Sequence, residues 1–237
     1  MQASLTRSEE LERLRDSLVH MMAHDMRTPL MALRGNLELL DMDLREGLQP
    51  EQTAMLDTAF GACTKLIEMV SAMLDVSKLE SGQMTVNRQP GDIAELAGQA
   101  VRTVGGLARR CEVQIQTADP STRANVDHDL THRVIVNLLG NALKFTPAGG
   151  RITIGIRAEG SEIEVSVQDT GPGIPAEFHE KIFEKFGQVQ GQVKQAKYST
   201  GLGLTFCRLA VEAMGGRIGV ASEPGKGSTF WFRLPRV

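Results

Sequence analysis

Residues 133–146 read Arg133-Val134-Ile135-Val136-Asn137-Leu138-Leu139-Gly140-Asn141-Ala142-Leu143-Lys144-Phe145-Thr146. Asn137 and Asn141 stand four apart, so on a helix they project from one face, and Lys144 follows three residues later on the same side. Two amides and an ammonium on an otherwise apolar helix need a polar partner, because a buried amide without one costs on the order of a few kcal/mol. A metal-bound polyphosphate meets that need. An amide oxygen is a hard ligand for Mg²⁺, and Lys supplies a point charge for phosphate. A second piece, Asp169-Thr170-Gly171-Pro172-Gly173-Ile174-Pro175, follows the strand-like run Ile163-Glu164-Val165-Ser166-Val167-Gln168. A carboxylate held there can accept from an exocyclic amine such as that of adenine. Gly171 and Gly173 let backbone approach a ligand closely. The third piece, Thr200-Gly201-Leu202-Gly203-Leu204, directly precedes an apolar helix. Free N–H groups and the dipole at that helix start favour phosphate.

Each piece alone is weak, since a Gly-x-Gly turn is common and an Asn on a helix is usually solvated or a cap. Their order and spacing resemble the nucleotide-binding boxes of the sensor histidine kinases. The wider ATPase superfamily includes type II topoisomerases, heat-shock chaperone ATPases and mismatch-repair ATPases. No G-x-x-x-x-G-K-[ST] loop occurs in the chain.

The first helix carries His24-Asp25-Met26-Arg27-Thr28-Pro29-Leu30. Met22 and Met26 each lie two residues from His24, about 200° round a helix. If the methionines face the core, His24 faces water. Thr28 is four residues on and shares the face of His24. Pro29 has no N–H for the carbonyl of Asp25 and crowds it, which predicts a kink beneath the histidine. A neutral imidazole, with an unperturbed pKa of about 6.5, is a competent nucleophile. An adjacent carboxylate can take or orient its other ring proton. An exposed His on a helix is by itself unremarkable. His20 and His24 form an i, i+4 pair with no third metal ligand in view. His128 and His132 are a similar pair and read as surface and packing residues, and His179 has no evident partner. The segment resembles the phosphoacceptor motif of histidine kinases, H-[ED]-x-x-[NT]-P-L, and the match covers roughly residues 10–236.

At 237 residues the chain has room for one or two domains. Aromatic residues make up only 4%, against eleven Met and many Leu, which points to helix packing for much of the core. A net charge of −3 gives no sign of a nucleic-acid partner. Cys63, Cys111 and Cys207 lack zinc spacing and read as reduced residues of a cytosolic core. No apolar run reaches the ~18 residues of a membrane span, and no signal peptide is evident. A sensor or membrane anchor, if the protein has one, lies outside this chain.

Residues 4–45 read as one long helix, with Leu11, Leu14, Leu18, Met22, Met26, Leu30, Leu33, Leu37, Leu40 and Leu44 spaced in threes and fours. Its charged, coiled-coil-like start points to an upstream partner domain. The helix is expected to end near Gly47 and Pro50. Residues 51–80 read as a second helix with two interleaved stripes. One is Met55, Ala59, Ala62, Leu66, Met69, Met73 and Val76; the other is Leu56, Phe60, Cys63, Ile67, Val70 and Leu74. A double stripe suits a helix with two neighbours in a four-helix bundle, which two copies of this hairpin would complete as a homodimer. The alternative is a monomeric hairpin capped by the second domain. Gly82 marks a boundary between 1–82 and 83–237. Beyond it the pattern predicts strands near 84–88, 112–117, 123–126, 151–158, 161–168, 217–222 and 228–234. Helices are expected near 92–109, 128–145, 176–182 and 201–214. The fold class is therefore α plus α/β sandwich: a helical hairpin, then one sheet with helices on one face.

The resemblance implies a dimeric phosphoacceptor bundle followed by a Bergerat-type ATP-binding domain. It implies autophosphorylation of His24 from ATP, with transfer to an aspartate of a response regulator receiver domain. It assigns Mg²⁺ to Asn141, charge neutralisation to Lys144, positioning of the triphosphate or the metal's waters to Asn137, and adenine to Asp169. Gly171, Gly173, Gly201, Leu202 and Gly203 would surround the nucleotide, with Thr229 near the adenine. Asp25 would assist attack by His24, and Thr28 would aim water in dephosphorylating the regulator. Ile182-Phe183-Glu184-Lys185-Phe186 matches the family's phenylalanine box and would hinge a lid over 187–200 or simply pack in the core. Lys194 and Lys197 are lid cations for phosphate. Gly187 stands where the family pattern expects a larger residue. Two other readings compete: a non-catalytic dimeric nucleotide-binding scaffold, and a kinase of the same superfamily acting on serine.

Overall fold

The structure is a computed structural model. It describes the backbone of residues 2–105, 111–117, 122–187 and 201–237, and their side chains from Met21 onward, except that of His24. The chain divides into two compact units, Met1–Met84 and Thr85–Val237.

The first unit is a helical hairpin. Helix α1 spans Gln2–Leu44 and runs through Pro29; a 3-10 turn, Arg45–Gly47, follows it. Helix α2 spans Pro50–Glu80. Pro50 starts it because a first-turn N–H is unneeded there. Gln49 and Gln52 exchange capping hydrogen bonds. Between the helices Ala23, Val70 and Leu74 form a small buried cluster with Leu30 against it. The Cys63 thiol, also buried, donates to the Leu30 carbonyl at 3.5 Å. Arg27 reaches Ser71 at 3.2 Å, and Arg45 bridges Asp41 and Asp57.

One expectation is corrected here. Met22 and Met26 do not face the core: they are 64% and 49% exposed, and Ala23, at 3%, takes the inward position. A methyl group lets the helices approach closely, which a thioether chain at that place would prevent. Of the two stripes on α2, the one holding Cys63, Val70 and Leu74 is buried against α1, while Met55, Leu66 and Met69 of the other are exposed.

The second unit is built on a five-stranded sheet in the order β2-β4-β5-β7-β6. Its strands are β2 Glu112–Thr117, β4 Arg151–Glu159, β5 Glu162–Asp169, β6 Arg217–Ser222 and β7 Ser228–Pro235. Among the described strands only β2 and β4 pair in parallel. Strands β1 Gln89–Asp92 and β3 Arg123–Val126 form a separate antiparallel pair. Helices α3 Ile93–Val104, α4 His128–Phe145 and α5 Gly203–Ala213 complete the unit, with α4 packed on both α3 and α5. Strand side chains alternate between faces. One face, with Ile152, Ile154, Ile156, Val165, Val167, Phe230, Phe232 and Leu234, is buried with Val134, Ile135, Leu138 and Leu139 of α4 and Phe206 and Val211 of α5. The other face is polar; Glu164, nearly buried there, is held by Arg157 and Arg233 at 2.7 Å each.

The first strand lies at 89–92 rather than near 84–88. Gln89-Pro90-Gly91-Asp92 has no β-branched residue and becomes a strand only through pairing with β3. Gly91 has no room for a side chain, since a Cβ there would lie 2.5 Å from His128 Nε2. The short helix near 176–182 is instead two 3-10 turns, Ala176–Phe178 and Lys181–Phe183. Helix α5 starts two residues later than expected, because Gly201 is left-handed at φ +69°. The part of the 92–109 helix beyond Gly105 lies outside the described residues.

Candidate nucleotide site and phosphoacceptor helix

The three motifs of the second unit meet in space, and their glycines are the points of contact. Asn137 and Asn141 lie on α4, both half-buried. The Asn137 amide NH₂ donates back to the Arg133 carbonyl at 2.9 Å, which leaves its oxygen facing Gly203. A Cβ on Gly203 would lie 3.0 Å from that oxygen. The first motif therefore lies against the start of α5, where the first-turn N–H groups have no helical partners. Leu202, buried, holds this start in place. Lys144, on the same helix, lies over the Phe145 ring at 5.1 Å.

Asp169 ends β5 on the buried face of the sheet and is 5% exposed. Its carboxylate accepts the Gly171 N–H at 2.8 Å and also the Ser228 N–H. Burial nevertheless raises its pKa above the ordinary carboxylate value; the two backbone donors oppose that shift without cancelling it. A Cβ on Gly171 would lie 3.1 Å from the Phe145 carbonyl, so the second motif sits on the C-terminal end of α4. Gly173, at φ +73°, has its Cβ direction filled by the Glu223 carbonyl at 2.0 Å, and Gly227, at φ +84°, by the Asp169 carbonyl at 2.0 Å. Substitution at either would displace backbone at this site. The His179 ring, with no partner evident in the sequence, meets the Ile174 carbonyl at 3.0 Å and fixes the end of the second motif.

Thr229 lies elsewhere than expected. It pairs with Gln168, whereas Ser228 pairs with Asp169. Residues opposite one another share a face, so Ser228 stands beside Asp169 and Thr229 points to the other side of the sheet. A turn closed by Gly227 allowed either parity from sequence alone. The departure at Gly187 has a local reason: a Cβ there would lie 2.0 Å from the Lys181 carbonyl, so a larger residue does not fit this backbone. Of the phenylalanine box, Phe183 is core and meets Phe230 edge-on at 6.3 Å. Phe186 is 59% exposed and left-handed at φ 61°, and its N–H donates to the Gly201 carbonyl at 3.1 Å. That bond ties the phenylalanine box to the first glycine of the third motif. Lys194 and Lys197 lie outside the described residues.

His24 lies within α1 of the first unit; its side chain is outside those described. Asp25 and Thr28 are exposed on the same helix. Among the described residues no group of three His, Cys, Asp or Glu side chains could hold a metal. The His128 ring packs beneath Gly91, and His132 meets the Thr103 hydroxyl at 3.2 Å. Cys63, Cys111 and Cys207 are free thiols, and burial pushes the Cys207 thiol up. No described helix is long and apolar enough to cross a membrane.

Residues 14–82 match the model of the His Kinase A (phospho-acceptor) domain, and residues 126–237 that of the histidine kinase-, DNA gyrase B- and HSP90-like ATPases. The chain is a sensor histidine kinase catalytic core. It is 31% identical over 233 residues to the alginate biosynthesis sensor protein KinB of Pseudomonas aeruginosa, covering 98% of this chain and 38% of that protein. It is 32% identical to the sensor protein KdpD of Escherichia coli, covering 97% of this chain and 25% of that protein. The chain thus spans well under half of these relatives. Among solved structures, full-length ShkA in complex with AMPPNP superposes with a TM-score of 0.79 at 28% identity, covering 93% of this chain and 46% of that one.

Proposed function

We propose that this histidine kinase core binds Mg-ATP between α4, the Asp169 loop and the start of α5, and passes the γ-phosphoryl group to His24. The observation that carries the proposal is the convergence of three separate motifs through glycines with no room for a side chain. Backbone lies close to backbone there, and Asn137, Asn141, Asp169 and an unsatisfied helix start belong to one site. The residues present fit the metal: the Asn141 amide oxygen would hold Mg²⁺, which when bound neutralises charge on the phosphates. Asp169 accepts from the adenine amine, Lys144 offsets phosphate charge, and the N–H groups at the start of α5 bind phosphate. The adjacent Asp25 carboxylate takes or orients the proton of the His24 ring as its other nitrogen attacks phosphorus in line, with ADP leaving.

The apolar stripe of α2 that α1 leaves uncovered supports a homodimer built through this unit. A receiver-domain aspartate is the proposed acceptor of the phosphoryl group from His24. Thr28, exposed and one turn beyond His24, would aim the water that hydrolyses the regulator's acyl phosphate to a free aspartate and inorganic phosphate. A scaffold without chemistry has no need of this set of side chains. The test is Asn141→Ala. It should cut labelling from γ-labelled ATP by orders of magnitude while metal-free nucleotide binding suffers less. Labelling at the normal rate would place the metal site elsewhere.

A further inference from the structure

Ser222 closes β6, and its hydroxyl meets three polar groups. It lies 2.8 Å from the Ile174 N–H, 2.8 Å from the Gly227 carbonyl and 3.0 Å from the Ser228 hydroxyl. An amide N–H can only donate and a carbonyl can only accept, whereas a hydroxyl carries one proton and two lone pairs. Ser222 therefore accepts from Ile174 and spends its proton on Gly227. Its remaining lone pair faces Ser228, so the proton in that bond is the one on Ser228. Ser228 is 6% exposed and pairs with Asp169 across β5 and β7. With its proton committed to Ser222, it offers lone pairs only. Two acceptors, the Ser228 hydroxyl oxygen and the Asp169 carboxylate, then stand side by side on one face of the sheet.

We propose that Ser222 is a positioning residue for purine selectivity: by drawing the Ser228 proton away, it makes Ser228 and Asp169 an acceptor-only pair. Such a pair matches the exocyclic amine of adenine and opposes the carbonyl that guanine carries at the same ring position. Removing the Ser222 hydroxyl frees the Ser228 proton to turn toward the base and donate to that carbonyl. The proposal rests on the reading of Asp169 as the carboxylate that meets the base.

The test is calorimetric titration of the whole chain with ATP and with GTP, alongside the melting temperature of each variant. Ser222→Ala should lower the ratio of ATP to GTP affinity about tenfold, the worth of one well-placed hydrogen bond. Ser222→Thr, which keeps the hydroxyl, should retain the parent ratio. If Ser222→Ala does not fold, Ser222→Cys, a weak donor of similar size, carries the same expectation. Equal weakening of both nucleotides, or a Thr variant that behaves like the Ala variant, would overturn the proposal. Asp169→Ala separates the two readings. If it abolishes the preference while Ser222→Ala does not, only the role of Ser222 falls. If it leaves the parent preference intact, Asp169 does not meet the base and both readings fall.

Discussion

The two units use their apolar residues differently. In the catalytic unit the large side chains are consumed internally: Phe206, Phe232, Ile135, Leu138, Ile154 and Leu234 are all at most 2% exposed. In the helical unit Met22, Leu40, Met55 and Leu66 stay 43–72% exposed. Large apolar side chains left open in this number point to an interaction surface. The catalytic unit has a core of its own, while the proposed homodimer would supply the helical unit with surface from outside. On that proposal the stability of the helical unit would be tied to protomer concentration and that of its neighbour would not.

Breaking the helical side of this contrast should give the largest effect. Leu66→Glu with Met69→Glu places two carboxylates in the open stripe and should convert a dimer to monomers in sedimentation experiments, with catalytic-unit melting unchanged. A dimer that persists would assign the stripe to something else. Next comes a cavity in the closed core. Leu138→Ala should cost about 2–5 kcal/mol in denaturant unfolding of the catalytic unit, because Leu138 is fully buried. It should leave the oligomeric state untouched.

The smallest effect on folding, though not on function, is expected at Asp169. Its folded pKa is raised above 3.8 by burial. Its protonated form is therefore favoured by folding, a contribution fully present below 3.8 and lost as pH rises through the higher folded value. Above that folded value the nucleotide-free protein holds a carboxylate that burial disfavours. Asp169→Asn should match or exceed the parent in melting temperature at pH 7, and lose that advantage as the pH is lowered. Nucleotide affinity should fall sharply at every pH. A variant that melts lower at pH 7 would show that the charge stabilises the unliganded site.

Much of this molecule is legible in its sequence, and the exceptions have physical causes. Helical spacing in α2 and α4 and the alternation in β4, β5 and β7 gave bounds within a residue or so, because burial on one face imposes period on the chain. Strand β1 escaped because tertiary pairing alone makes Gln89-Pro90-Gly91-Asp92 extended. The two stripes of α2 were visible, but which of them meets α1 depends on the closer approach that Ala23 permits. In the candidate site, Asn137, Asp169 and the glycines stand out by type and spacing, and the structure brings their three motifs together. Ser228 was not separable from Thr229 because parity on a strand depends on register, which Gly227 sets only in three dimensions. Ser222 gave no signal, since its role exists only where two turns meet.

The most direct measurement of the central claim is phosphoryl transfer to one residue. Wild-type protein and His24→Gln are incubated with γ-labelled Mg-ATP, and the stability of the label is followed in acid and in alkali. The account predicts acid-labile, alkali-stable label on the wild type, none on His24→Gln, and ATP affinity within a few-fold for both, because the histidine lies outside the unit that binds nucleotide. Label retained on His24→Gln, or acid-stable label on the wild type, would contradict it.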